Sequence, residues 1–139
     1  MVDRDVLSSR LSALEGYLAE LRPFAAVNRD RYLAEPALHH LAERLLHLAC
    51  ECVLDIAQHV IADRGFRQPA TYKDAMEVLC QEGLLSADLT VRLKRWMGLC
   101  NVLVHFYVEI DHDRTFDAIA NDLGDLTEFA TGMAGLLGA

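Results

Sequence analysis

Residues 35–63 read EPALHHLAERLLHLACECVLDIAQHVIAD, and this segment sets the architecture of the chain. Apolar residues recur at three- and four-residue spacings, the signature of a helix with one buried face. Pro36 falls at a first-turn position, where its missing N–H costs little, and Gly65 stops the helix beyond Asp63. A helix of that length is the central element of a helical bundle.

The same periodicity runs outward in both directions, and no strand-like alternation competes with it. A first helix is predicted from about Asp5 to Phe24, with Val6, Leu7, Leu11, Leu14, Leu18 and Leu21 on its apolar face and Pro23 near its end. After the central helix, residues 66–71 with Pro69 read as a loop. Tyr72 to Gln81 then makes a short helix ended by Gly83. Ser86 or Asp88 caps a fourth helix from about Ala87 to Phe106. Asp111 to Arg114 turns the chain into a last helix, Thr115 to Leu137. The expectation is an all-α, up-and-down bundle of about five helices forming a single domain over residues 1–139, with no internal repeat or linker.

The 139 residues are enough for one substantial core, and no run of about 18 uncharged apolar residues marks a membrane span. The start, Met1 to Asp5, lacks the basic segment of a secretory leader, so the expected location is the cytoplasm. Four cysteines, at 50, 52, 80 and 100, form no CxxC pair. Cys50 and Cys52 fall on nearly opposite sides of a helix, and neither a zinc site nor a structural disulfide is expected. The formal net charge of −8 argues against broad nucleic-acid binding, which depends on lysine and arginine neutralising phosphates. RNA contact would have to be local. Arg92, Lys94 and Arg95 are one candidate cluster, although a solvated face of an amphipathic helix is the better reading of those three residues alone.

Two patterns carry possible chemistry. On the central helix, His40, Arg44, His47, Glu51, Asp55 and His59 form a polar stripe. A satisfied network or cleft lining is a simpler reading of it than a metal site, because no repeated Glu-x-x-His pair appears. On the fourth helix, Asn101 and His105 lie one turn apart, and Cys100 and Tyr107 share an adjoining stripe with Trp96. An imidazole is suited to moving protons near neutral pH, as attack of a ribose 2′-hydroxyl on its neighbouring phosphate requires. A lone helix histidine is more often a satisfied core residue.

The segment Met97-Gly98-Leu99-Cys100-Asn101-Val102-Leu103-Val104-His105-Phe106-Tyr107 resembles the HepT-like branch of the HEPN superfamily, whose motif reads Arg-Asn-x-x-x-His-x-Tyr. Glu51 to His59 is similar to the glutamate and aspartate pattern of that family, and Pro69, Tyr72 and Leu79 to Leu84 also fit. The resemblance covers roughly Leu33 to Asp111. It implies a helical homodimer whose motif helices meet in a cleft, and an endoribonuclease toxin that cuts RNA without a metal or other cofactor. It further implies a partner, an MntA-type nucleotidyltransferase antitoxin that attaches adenylate to the motif tyrosine, here Tyr107.

The resemblance assigns His105 and Asn101 to catalysis and places Cys100 at the arginine position. A thiol lacks the planar fork of donors with which guanidinium holds phosphate, and one such donor is worth on the order of a hundredfold to a thousandfold in rate. Weakened cleavage is therefore expected, with Cys100→Arg raising it. The alternative is a non-catalytic nucleotide- or RNA-binding partner of a nucleotidyltransferase. Arg95 and Arg92 are candidate substitutes for the missing cation, and Glu51 and Asp55 are candidates to orient His105 or Arg95. Cys100 itself reads as a small buried hydrophobe rather than a nucleophile.

Overall fold

Helix α1 (Arg4–Leu21) starts where the Asp3 carboxylate accepts the backbone N–H groups of Asp5 and Val6. It buries Leu7, Leu11, Leu14, Leu18 and Leu21, the alternating four- and three-residue spacing of one helix face. The computed structural model describes residues 3–138, and among these all regular secondary structure is helical, with no strand. Seven α-helices form where five were expected.

The two additional helices have local causes. Pro23 lacks the N–H that would continue α1, and residues Arg22–Ala26 tighten into a 3₁₀ turn. The Asn28 side chain then accepts the Arg31 N–H and starts a short helix, α2 (Arg29–Ala34), whose Tyr32 is fully buried. At the other end, Asp111 acts as an N-cap, so His112 to Arg114 are the first turn of a helix rather than a loop. The expected last helix is two, α6 (His112–Asn121) and α7 (Leu123–Ala134), broken at Asp122. The Asp122 carbonyl accepts the Trp96 indole N–H at 3.2 Å, which offsets the interruption of the helix ladder.

The central helix forms as expected, as α3 (Pro36–Asp63). Gly65, at φ +66°, closes it: Phe66 N–H reaches the Ile61 carbonyl and Gly65 N–H that of Ala62. Helix α4 (Tyr72–Gln81) is capped by Thr71 and ends in the same way at Gly83, φ +77°. Ser86, not Asp88, caps α5 (Ala87–His105) by accepting the Leu89 N–H.

Helix α1 packs along α3, α4 pairs with α5, and α7 lies against α1 and α5. By length and hydropathy α3 would qualify as a membrane span, but most of its surface forms the core. It buries Leu46, Ala49, Cys50, Val53, Ile56, Ala57 and Val60.

The cysteine expectation is overturned. Cys50 on α3 and Cys100 on α5 form a disulfide across the helix interface, with Cα atoms 5.7 Å apart. They are 50 residues apart, so spacing within either helix carried no sign of the pairing. Cys52 and Cys80 are free.

A buried polar network ties α2, α3 and α6 together. The Tyr32 hydroxyl donates to Thr115 Oγ1 at 2.7 Å, and Thr115 Oγ1 donates to Glu43 at 2.8 Å. Glu43 also meets His112 Nδ1 at 2.6 Å, and the His112 ring stacks on His39 at 3.9 Å. Every polar atom named here has a partner, the condition for tolerating burial. Arg29 covers this region from outside, lying 4.7 Å over the Phe116 ring while pairing with Asp113 and Asp117.

Candidate active site

Helix α5 carries the motif and ends at His105, one residue earlier than its periodicity predicts. Phe106 leaves helical geometry at φ −127°, ψ 39°, and residues Tyr107–Glu109 make a single 3₁₀ turn. Tyr107 therefore does not share a helical stripe with Cys100 and Trp96. It stands 70% exposed beyond the helix end, whereas Cys100 and Trp96 are buried.

Asn101 and His105 are exposed on the same face of α5, one turn apart, as expected. They open onto a hollow of about 560 Å³ that is also lined by Thr71, Tyr72, Lys73, Met97 and Gly98. The opposing wall is the first turn of α4, fixed by two local interactions. Thr71 Oγ1 accepts the Asp74 N–H, and the Asp74 carboxylate accepts the Ala70 N–H and both terminal nitrogens of Arg67. Arg67, and then the Ala70 N–H, hold the Asp74 carboxyl well below the usual carboxylate range.

That wall brings Tyr72 to the motif. Its hydroxyl is 3.1 Å from His105 Nε2, with ring centroids 6.0 Å apart. When the phenol donates, Nε2 is held as an acceptor and the ring orientation is fixed. Tyr72 and Lys73 were not among the site residues read from the sequence. The capping threonine and the loop before it were the local signal that this turn is rigid. Nothing in the sequence indicated that it faces α5.

The other expected site residues scatter. Cys100 is fully buried in the α3–α5 interface and bonded to Cys50, so its side chain does not line the hollow. Arg92 is held by Asp88 at 3.0 Å, Asp125 at 2.6 Å and Glu128 at 2.9 Å. Arg95 faces a second, smaller hollow with Trp96, Leu99 and Arg114. Neither arginine lies with His105. Asp55 pairs with Arg10 of α1 at 2.5 Å, and Glu51 approaches His47 at 3.5 Å on its own helix. The expectation that these carboxylates orient His105 or Arg95 is therefore corrected: helix α3 points them toward α1 and solvent. No group of three or more potential metal ligands occurs among the described residues.

Several cations lack a carboxylate partner among the described residues, and three of them flank the motif helix. Arg10, Arg29, Arg31, Arg67, Arg92 and Lys94 all form ion pairs. Lys73, Arg95 and Arg114 make no ion pair or hydrogen bond among the described residues. All three are exposed and flank α5.

Comparison with known proteins finds relatives in sequence and in fold. The family model described as ribonuclease HepT-like matches residues 14–133. A tRNA nuclease HepT from Aphanizomenon flos-aquae is 30% identical over 115 residues, covering 83% of this chain and 78% of that protein. An mRNA nuclease HepT from Shewanella oneidensis is 31% identical over 84 residues, covering 60% of this chain and 63% of its own length. Among solved structures, a tri-AMPylated Shewanella oneidensis HEPN toxin in complex with MNT antitoxin superposes with a TM-score of 0.84 at 21% identity, covering 97% of this chain and 99% of that one.

Proposed function

The chain belongs to the HepT-like ribonuclease family, and from that premise we propose that it is the toxin of a toxin–antitoxin pair and cleaves RNA at the hollow beneath His105. The observation that carries this reading is the convergence of His105, Asn101 and Tyr72 on one accessible cavity.

In the proposed reaction the tautomer that acts is the one in which the Tyr72 hydroxyl accepts the His105 Nε2–H, which holds the imidazole in place and leaves Nδ1 free to take the proton of a ribose 2′-hydroxyl. The 2′-oxygen attacks the adjacent phosphorus, the bond to the 5′-oxygen breaks, and that oxygen leaves with the proton that the His105 imidazolium returns. The products are a 2′,3′-cyclic phosphate and a 5′-hydroxyl end. Asn101 donates its amide N–H to the phosphate as charge develops. The family relatives are nucleases of tRNA and of mRNA, and RNA is the substrate class this reading assigns.

A second copy of the chain completes the site in this reading. Phe106 and Val108 form an exposed apolar end of the motif, with Val108 85% exposed. A homodimer covers such a patch and sets two motif helices face to face. The cleavage is slow compared with relatives that carry the motif arginine, because Cys100 occupies that position and no guanidinium lies with His105.

Regulation follows from Tyr107. Its exposed phenol is positioned to attack the α-phosphorus of ATP in a reaction catalysed by an MNT-type nucleotidyltransferase antitoxin, releasing pyrophosphate and leaving an adenylate on the hydroxyl. The new phosphodiester places negative charge and bulk beside the hollow and repels an RNA strand.

The test is incubation of the wild type and His105→Ala with bulk tRNA and with an mRNA, followed by analysis of the fragment ends. Fragments with 2′,3′-cyclic phosphate from the wild type alone support the reading. RNA bound but uncut by both proteins sinks the cleavage claim and selects the binding-module alternative, which the burial of Cys100 favours.

A further inference from the structure

Glycine at position 98 leaves α5 bare between the two hollows, and cations approach it from two other helices. A Cβ built on Gly98 would lie 3.5 Å from Lys73 Cε, 3.6 Å from Lys73 Nζ and 3.9 Å from Arg114 Nη2. Lys73 comes from the first turn of α4 and Arg114 from the first turn of α6. Neither charge is paired within the described residues.

Two unpaired positive charges converging on one point repel each other, and each stands where a carboxylate would normally compensate it. Arg22, Arg44 and Arg64 also lack a carboxylate partner among the described residues, but Lys73 and Arg114 are the pair that meets over the motif helix.

We infer that Lys73 and Arg114 form a cradle over Gly98 that holds a backbone phosphate of the RNA strand. This inference rests on the ribonuclease reading above and specifies how the substrate lies. Gly98 precedes His105 by seven residues, about 10 Å along a helix, so the phosphate in the cradle is a neighbour of the scissile one. The strand then runs along α5 past Asn101 to His105. Lys73 and Arg114 are positioning residues in this arrangement, and they do not replace the motif arginine. They also supply the local positive charge that a chain of net charge −8 needs in order to hold an anionic strand.

The experiment measures cleavage of bulk tRNA by the full-length protein, comparing the wild type with Lys73→Ala, Arg114→Ala, the double variant, Lys73→Arg and Lys94→Ala. Lys94 is bonded to Glu77 at 2.5 Å and controls for general surface charge. Far-UV circular dichroism and thermal unfolding confirm that each variant is folded. The expected result is a KM raised on the order of tenfold in each alanine variant with kcat changed less than threefold, and near wild-type behaviour in Lys73→Arg and Lys94→Ala. Binding of a fully 2′-O-methylated RNA, which cannot undergo 2′-hydroxyl attack, should lose salt dependence in the double variant by about 0.7 in the log–log slope, the contribution of one single-strand phosphate contact.

If the wild type cleaves tRNA and the folded double variant shows unchanged KM and unchanged salt slope, the cradle is refuted and the ribonuclease reading stands. A fall in kcat without a change in KM also overturns it, since that assigns the cations to the reacting phosphate. If the wild type neither cleaves tRNA nor binds the methylated RNA, the ribonuclease reading fails, and the cradle fails with it.

Discussion

The Tyr72 hydroxyl stands 3.1 Å from His105 Nε2, joining the first turn of α4 to the last residue of α5. The imidazole belongs to the last residue of its helix, where the chain leaves α-helical geometry at Phe106, and this contact from another element fixes the ring's orientation. Removing it in Tyr72→Phe should lower tRNA cleavage by roughly three- to tenfold, the worth of one neutral hydrogen bond. His105→Ala should lose about a hundredfold or more, as befits a general base. Equal losses in the two variants, measured as kcat/KM, would show that Tyr72 does more than orient the ring.

Tyr107 projects away from the core, and its replacement should be nearly silent structurally. Tyr107→Phe is expected to unfold within about 0.5 kcal/mol of the wild type, in the range usual for surface positions. With ATP and a cognate nucleotidyltransferase, intact-mass spectrometry should find added adenylate on the wild type and none on the variant. Modification persisting in Tyr107→Phe would move the acceptor to another residue.

The Cys50–Cys100 bond closes a loop of 50 residues between the central helix α3 and the motif helix α5. Cys50→Ala combined with Cys100→Ala should lose about 2–4 kcal/mol, read by urea unfolding. Thiol titration of the unreduced, denatured wild type should find two free thiols of the four cysteines; four would remove the bond from consideration. Cys100→Arg, expected from sequence to raise cleavage, would have to place a guanidinium where the side chain is wholly buried. Its predicted outcome is a destabilisation of about 3–5 kcal/mol.

Burial pushes the Tyr32 phenol from 10.0 up to about 12. Its folded value lies above the unfolded one, so the stabilising contribution is fully present below pH 10 and is lost as pH rises toward 12. Urea midpoints of the wild type should fall through that alkaline interval. Tyr32→Phe should lose about 1 kcal/mol at neutral pH, with the Tyr32 to Thr115 hydrogen bond gone, and show a flatter alkaline profile. Parallel profiles would assign the alkaline loss to other groups.

Helical periodicity was enough to place α1, α3, α4 and α5, because each buries a continuous apolar face and ends at a residue with a local reason to stop. Gly65 and Gly83 end their helices at positive φ, and Ser86 begins α5 through its own side chain. The helices that were missed depend on weaker signals. Helix α2 is only six residues long and is held mainly by burial of Tyr32. The break at Asp122 serves the Trp96 indole, which arrives from a helix 26 residues earlier in the chain.

The motif on α5 identified the family, and the adjacency of Asn101 and His105 follows directly from the geometry of a helix. Which side chains surround them does not. Cys100 meets Cys50, Asp55 meets Arg10, and Lys73 and Arg114 converge on Gly98, all through packing of helices distant in sequence. Local spacing determines which residues share a face of one helix; the direction that face points, and the charges that meet it there, depend on how the helices bury their apolar stripes against one another.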